Sequence, residues 1–251
     1  MAKERVAKET FDVVILNGRP AAGKSEVIDY LKKTPVAERV RRFHIGEFEE
    51  IDDFPMLWQW FEDDDILERH GRHRLYTTSD YYFNDPFLWN LLIEKINLVH
   101  AKRLRDDPRY HDTTTAIIEF ARGGERGFEE AYAHLSPEIL RRAGIVYIQV
   151  SYAESARKNR RRANRDRPDS ILQHSLPDEK IEFYYRTNDW DRIAARDPRA
   201  IEVNGTRVPY AVFKNEPEVT DKPELLGKAL EDVFGRLWAN VAAVRLSPRS
   251  G

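Results

Sequence analysis

The 251-residue chain contains no cysteine. That single absence removes disulfide scaffolds, thiolate metal sites and thiol nucleophiles together. A dominant charge sign is missing too. With 41 Lys and Arg against 43 Asp and Glu, the formal net charge is −2, so no global positive field recruits nucleic acid or an anionic membrane. Long apolar runs are absent. FDVVIL and IVYIQV are strand-sized, far below the ~20 residues that cross a bilayer. The opening MAKERVAKET lacks the apolar core of a signal peptide. These absences predict a soluble, cytoplasmic protein with no membrane or nucleic-acid partner. G-x-S-x-G and H-E-x-x-H are also lacking, which leaves hydrolase and zinc-protease readings unsupported. His70 and His73 in HGRH have no evident third ligand for a metal.

What is present is globular: 41% hydrophobic, 33% charged and 11% aromatic residues. No repeat, low-complexity tract or Gly/Pro-rich linker divides the chain, so a single domain over 11–245 is expected, with tails at 1–10 and 246–251. Apolar runs predict five strands, at 11–17, 40–45, 113–120, 145–151 and 207–213. The first, third and fourth are nearly continuous in apolar residues, as in a parallel sheet covered on both faces. Helical patterns at 25–33, 86–105, 127–142, 153–165, 178–187 and 223–244 alternate with them, giving an α/β architecture.

The strongest motif is GRPAAGKS, comprising Gly18, Arg19, Pro20, Ala21, Ala22, Gly23, Lys24 and Ser25. It fits G-x-x-x-x-G-K-[ST] without a gap, directly after a buried strand and before a helix with Val27, Ile28 and Leu31 on one face. Gly18 and Gly23 let the backbone curl so that successive N–H groups point at phosphate oxygens. The helix N-terminus adds its positive dipole end. Lys24 would reach the β- and γ-phosphates, and the Ser25 hydroxyl would bind Mg²⁺. Here the chain resembles the P-loop NTPase superfamily.

Two further segments narrow the resemblance. In AIIEFARGGERG the apolar strand runs into Glu119, followed by Arg122, Gly123 and Gly124. A carboxylate at that strand end can orient Mg²⁺ or accept an acceptor's hydroxyl proton, and Arg122 can hold an anionic oxygen in a fork. A strand that merely ends in a polar turn is the plainer alternative. In ESARKNRRRANRDR, the residues Arg157, Arg161 and Arg165 recur at helical spacing as one basic stripe. A solvated helix, an RNA-binding face and a phosphate-neutralising lid over 153–188 all fit that stripe. Taken together the chain resembles the nucleoside and nucleotide kinase-like group. That resemblance implies a three-layer fold whose five-stranded, mainly parallel sheet has the order 2-3-1-4-5, with helices on both faces. It further implies ATP and Mg²⁺ as cofactors and a small-molecule phosphate acceptor. Catalytic roles would fall to Lys24, Glu119, Arg122, Arg157 and Arg161, the metal would be held by Ser25 and Glu119, and Asn215 would lie near the adenine.

The acceptor side is expected at 46–85. Nine carboxylates between Glu47 and Asp65 surround Phe54, Trp58, Trp60 and Phe61. Aromatics suit a ring and carboxylates suit hydroxyl or amine donors, whereas an anionic acceptor would be repelled. A helix packing its rings inward with carboxylates in water fits the same stretch. The functional expectation is phosphoryl transfer from ATP to a nucleoside, nucleotide or other hydroxylated compound. An ATPase or switch acting on a macromolecule, or a non-catalytic nucleotide-binding protein, are the alternatives; a GTPase is disfavoured by the lack of N-K-x-D.

Overall fold

The segment VVILNG forms β1 (Val13–Gly18), and every residue in it is buried. Alternate side chains serve different layers: Val13 and Ile15 join one core, Val14 and Leu16 the other. The computed structural model, described for residues 8–163 and 176–246, continues with α1 (Lys24–Lys33), α2 (Val36–Phe43), β2 (Glu47–Asp52), α3 (Asp53–Arg69), α4 (Leu88–Asp106), α5 (Tyr110–Thr113) and β3 (Thr114–Phe120). The second half comprises α6 (Gly127–His134), α7 (Pro137–Arg142), β4 (Ala143–Gln149), α8 (Tyr152–Ala163), α9 (Asp178–Tyr185), α10 (Trp190–Ala194), β5 (Ala200–Val203), β6 (Thr206–Lys214) and α11 (Pro223–Leu246). The sheet order is β2-β3-β1-β4-β6-β5. All pairings are parallel except β5 with β6. One core lies between the sheet and α4, α6, α7 and α10; the other lies beneath α1, α2 and α11. The fold is a three-layer α/β sandwich.

Six strands stand where the sequence suggested five. The expected order is kept, and the addition is β5, joined to β6 by Asn204 and Gly205, both at positive φ. Asn-Gly between two apolar runs is a strong two-residue hairpin signal. A second correction concerns residues 40–45, expected as a strand. They belong mainly to α2, which buries Arg39 and Phe43 four residues apart on one face. The Arg39 guanidinium donates to the carbonyls of Leu31, Thr34 and Gly46, each at 3.1 Å, and so closes the end of α1. The strand is the acidic EFEEID that follows, a largely exposed edge strand. The single helix expected over 127–142 is broken at Ser136, whose hydroxyl accepts from Ile139 N while Pro137 opens α7.

A buried imidazole pair links α4 to α5. His100 Nε2 lies 3.0 Å from His111 Nε2, and both residues are buried. Burial, together with the neighbouring ring, pushes His100 down to about 4; burial likewise lowers His111. His111 Nδ1 donates to Thr114 O at 3.2 Å, so its Nε2 accepts from His100 Nε2, and protonating His111 there sets two donors against each other. The unfolded chain takes up these protons near pH 6.5. Stability from the pair is therefore fully present above that pH and lost as pH falls through about 4. His100→Gln, which keeps a hydrogen-bonding side chain without the titration, is expected to flatten the loss in urea midpoint between pH 7 and pH 4.5. Parallel pH profiles for variant and wild type would show that the pair does not titrate in this window.

Candidate active site

The chain between β1 and α1 curls as the glycine spacing anticipates. Ala21 has φ 55° and Gly23 φ 120°, and such excursions turn successive N–H groups toward one point. Gly23 has no alternative. A Cβ there would lie 2.8 Å from both Asn215 Nδ2 and Thr220 Cγ2, in a backbone conformation that disfavours side chains. Three buttresses hold the loop. Asn215 Nδ2 donates to Ala22 O at 2.8 Å, Ser155 Oγ donates to Pro20 O at 2.7 Å, and the Arg19 guanidinium donates to Tyr185 O. Gly23→Ala is expected to lower stability by about 1–3 kcal/mol, measured by denaturant titration.

Above the loop, Lys24 Nζ donates to Arg19 O at 3.3 Å and lies 3.8 Å from Glu119 Oε1. Glu119, the penultimate residue of β3, is the register partner of Asp52, the last residue of β2. Asp52 then caps α3, accepting from Phe54 N at 2.9 Å, and Asp53 opens that helix. Three carboxylates thus crowd one spot. Burial, reinforced by the charges of Glu119 and Asp53, pushes Asp52 up to about 8. Burial raises Glu119 as well, with Lys24 opposing it. Asp53 is also raised by burial, although the Arg122 guanidinium donates to it at 2.6 Å.

These groups floor a cavity of about 390 Å³. Pro20, Ala21, Lys24, Ser25, Asp52 and Glu119 line its floor, and one face of α3 forms a wall. That helix answers both readings of its aromatics. Trp60 is buried and stacks on Tyr76 with centroids 5.0 Å apart, whereas Phe54, Trp58 and Phe61 face the cavity. The nine carboxylates divide similarly. Glu47 pairs with Arg39, Glu49 with Arg103, Glu50 with Lys32, Asp53 with Arg122 and Asp65 with Arg74. Asp64 is fully buried and structural. Burial works against its charge, but donors at Thr77, Leu75 and Tyr76 hold its pKa below the ordinary value.

The structure does not bring every expected residue to this cavity. Arg122 lies behind the wall, 4% exposed, donating to Asp53, Ala121 O and Trp89 O rather than facing a ligand. Gly123 is pressed against α9, where a Cβ would fall 2.0 Å from Tyr184 O, and Gly124 N donates to Thr187 O. The pair seats α9. Arg157 and Arg161 do share a face of α8, but both pair with Glu218 in the loop after β6. Arg162 is the member of that run that lines the cavity, donating to Glu26 at 2.9 Å. Arg165, Arg167 and the middle of the expected lid lie outside the described residues. Asn215 is fully buried and supports the loop between β1 and α1 from behind. Asp52 and Asp53 were not among the expected site residues. Strand register places them there, with Asp52 level with Glu119.

Ser25, Asp52 and Glu119 offer oxygen donors only, a set that suits a hard cation such as Mg²⁺. Among the described residues no group of three or more His, Cys, Asp or Glu could hold a metal alone. Among the same residues no helix is long and apolar enough to cross a membrane.

No protein-family model matches the chain, and no curated protein matches it. Among solved structures it is similar to a gluconokinase from Sinorhizobium meliloti 1021, at 14% identity and TM-score 0.37, covering 93% of this chain and 94% of that one. A sugar kinase from Janibacter sp. HTCC2649 matches at 14% identity and TM-score 0.38, covering 92% and 98%. TT1252 from Thermus thermophilus matches at 14% identity and TM-score 0.44, covering 91% and 98%.

Proposed function

We propose that the chain is an ATP- and Mg²⁺-dependent phosphotransferase that acts on the hydroxyl of a small molecule. One observation carries the reading. The phosphate loop's Lys24 and Ser25 share the floor of a single cavity with Asp52 and Glu119, and that cavity continues between aromatic walls large enough for a second substrate. Loop amides and Lys24 hold the donor phosphates, with the α1 N-terminus behind them. When bound, Mg²⁺ supplies positive charge to the phosphate oxygens, and Ser25 and Glu119 are the residues that would hold it through oxygen. Asp52 accepts the proton of the acceptor hydroxyl. A carboxylate held near 8 retains a basicity matched to neutral pH, which an ordinary aspartate lacks. Arg162, rather than Arg157 or Arg161, faces the charge that develops on the transferring group. Segment 46–85 serves as the acceptor side.

The reading is tested by incubating the protein with MgATP and a panel of nucleosides, sugars and amino alcohols, and following phosphorylated product by mass spectrometry. ATP binding without product from any acceptor would sink it. Within the same assay Arg162→Ala is expected to lower kcat about tenfold or more while changing ATP affinity less, because the interaction strengthens as charge spreads. Arg161→Ala, already tied to Glu218, is expected to change either value by less than about threefold.

A further inference from the structure

We propose that the acceptor is an elongated alcohol with a flat apolar body and a protonated amine at the end remote from the hydroxyl that is phosphorylated. This rests on the phosphotransferase reading and names its second substrate by class.

The geometry of α3 carries the argument. Phe54, Trp58 and Phe61 recur at i, i+4 and i+7, and Glu62 and Asp65 continue the same face outward, all lining the cavity. The helix therefore offers a graded wall: carboxylates at the floor beside the phosphate loop, rings in the middle, carboxylates again at the outer end. From Asp53 to Glu62 the axis advances roughly 13 Å at 1.5 Å per residue. A molecule spanning that length, with its hydroxyl at Asp52, sets its far end among Glu62 and Asp65.

The charges along the cavity decide what that far end carries. Among the described residues three cations line it, and all are engaged. Lys24 lies between Arg19 O and Glu119, and Arg162 is paired with Glu26. Lys180 donates to Asp80 O and sits over the rings of Tyr81 and Tyr82 at 5.2 and 5.0 Å. Arg122, the natural holder of an anionic acceptor, is sequestered against Asp53 behind the wall. Glu62, in contrast, has no hydrogen bond or ion pair among the described residues, and Asp65 shares its charge with Arg74 and the Tyr81 hydroxyl. Aromatic faces next to an uncompensated carboxylate attract a cation twice, through the ring quadrupoles and through the charge. Among the described residues, a carboxylate or phosphate in that place meets the like charge of Glu62 and no free donor. A neutral group gains only burial.

The test is a charge-matched series: para-(aminomethyl)benzyl alcohol, para-methylbenzyl alcohol and para-(hydroxymethyl)benzoate, and the corresponding biphenyls. Binding is measured by calorimetry in the presence of Mg²⁺ and a non-hydrolysable ATP analogue, and phosphorylation is followed separately with ATP. The amine members are expected to bind at least tenfold tighter than the neutral ones and a hundredfold tighter than the acids. The biphenyls should show the larger preference. Glu62→Lys should erase the preference of amine over neutral while leaving melting temperature and affinity for the ATP analogue unchanged, and Glu62→Gln should halve it on a logarithmic scale. Equal binding across the series, tighter binding of the acids, no binding by any member, or a preference indifferent to Glu62→Lys would each overturn the proposal. Amine preference without phosphorylation of any compound is a different result: it upholds the acceptor class and sinks the phosphotransferase reading instead.

Discussion

Lys24→Ala is expected to reduce phosphoryl transfer by about a thousandfold or more and to remove most of the stabilisation that MgATP confers on the fold. In the wild type, MgATP at a hundred times its dissociation constant should add about 2.7 kcal/mol of stability, read as a clear rise in melting temperature. The argument is electrostatic. Lys24 is 7% exposed and shares the cavity floor with Ser25, Asp52 and Glu119. Remove its charge and the donor phosphates face a floor dominated by carboxylates, so ground-state and transition-state binding both fall. The unliganded variant should still fold, since Glu119 can take up a proton once its nearby cation is gone; burial already raises its pKa. Thermal unfolding with and without MgATP, alongside product formation, checks both halves. An undiminished thermal shift in Lys24→Ala would remove the phosphate site from this loop.

The curled loop between β1 and α1 could be read in the sequence because its residues are contiguous. Gly18 to Ser25 occupy eight successive positions, and the flanking strand and helix have unambiguous periodicities. The other half of the floor is assembled by strand register, which one sequence does not print. With the second strand expected at 40–45, Asp52 and Asp53 fall in the middle of an acidic run. With β2 at Glu47–Asp52, Asp52 becomes the lateral neighbour of Glu119. The shift of seven residues hid the pairing. Its cause is physical: β2 is an edge strand with little burial, so it lacks the apolar alternation that marks a strand, while Phe43 and Ile45 belong to the core for other reasons.

Arginine roles were harder still, because a guanidinium's partner is a tertiary fact. The helical spacing of Arg157 and Arg161 correctly puts them on one face. What that face meets, Glu218, comes from a loop 57 residues beyond Arg161. Arg122 lies directly after the strand end, as expected for a residue near the acceptor, yet its fork closes on Asp53, 69 residues earlier in the chain. Its sequestration turns an anion-binding expectation into an argument for a non-anionic acceptor.

Asp52→Asn is expected to lower kcat by about a hundredfold or more while leaving MgATP affinity within a few-fold, since amide nitrogen cannot accept the hydroxyl proton. The same substitution should stabilise the unliganded protein at alkaline pH, and the sign follows from the direction of its shift. Folded Asp52 titrates at about 8 against 3.8 for an ordinary aspartate, so the folded state holds a proton that the unfolded chain has released. Its contribution is fully present below about 3.8 and lost as pH rises through about 8. An asparagine has no proton to lose. Wild type and variant should therefore unfold at similar urea concentrations below about pH 4, the variant should pull ahead as pH rises from there, and the gap should level off above about pH 8, on the order of a few kcal/mol. Saturating MgATP should narrow the gap, because positive charge on the floor favours the ionised wild-type carboxylate. The paired measurement discriminates sharply. A variant that loses activity without gaining alkaline stability would make Asp52 an ordinary ionised ligand. A variant that gains stability with undiminished turnover would leave the hydroxyl proton to Glu119, its neighbour across the strand pair.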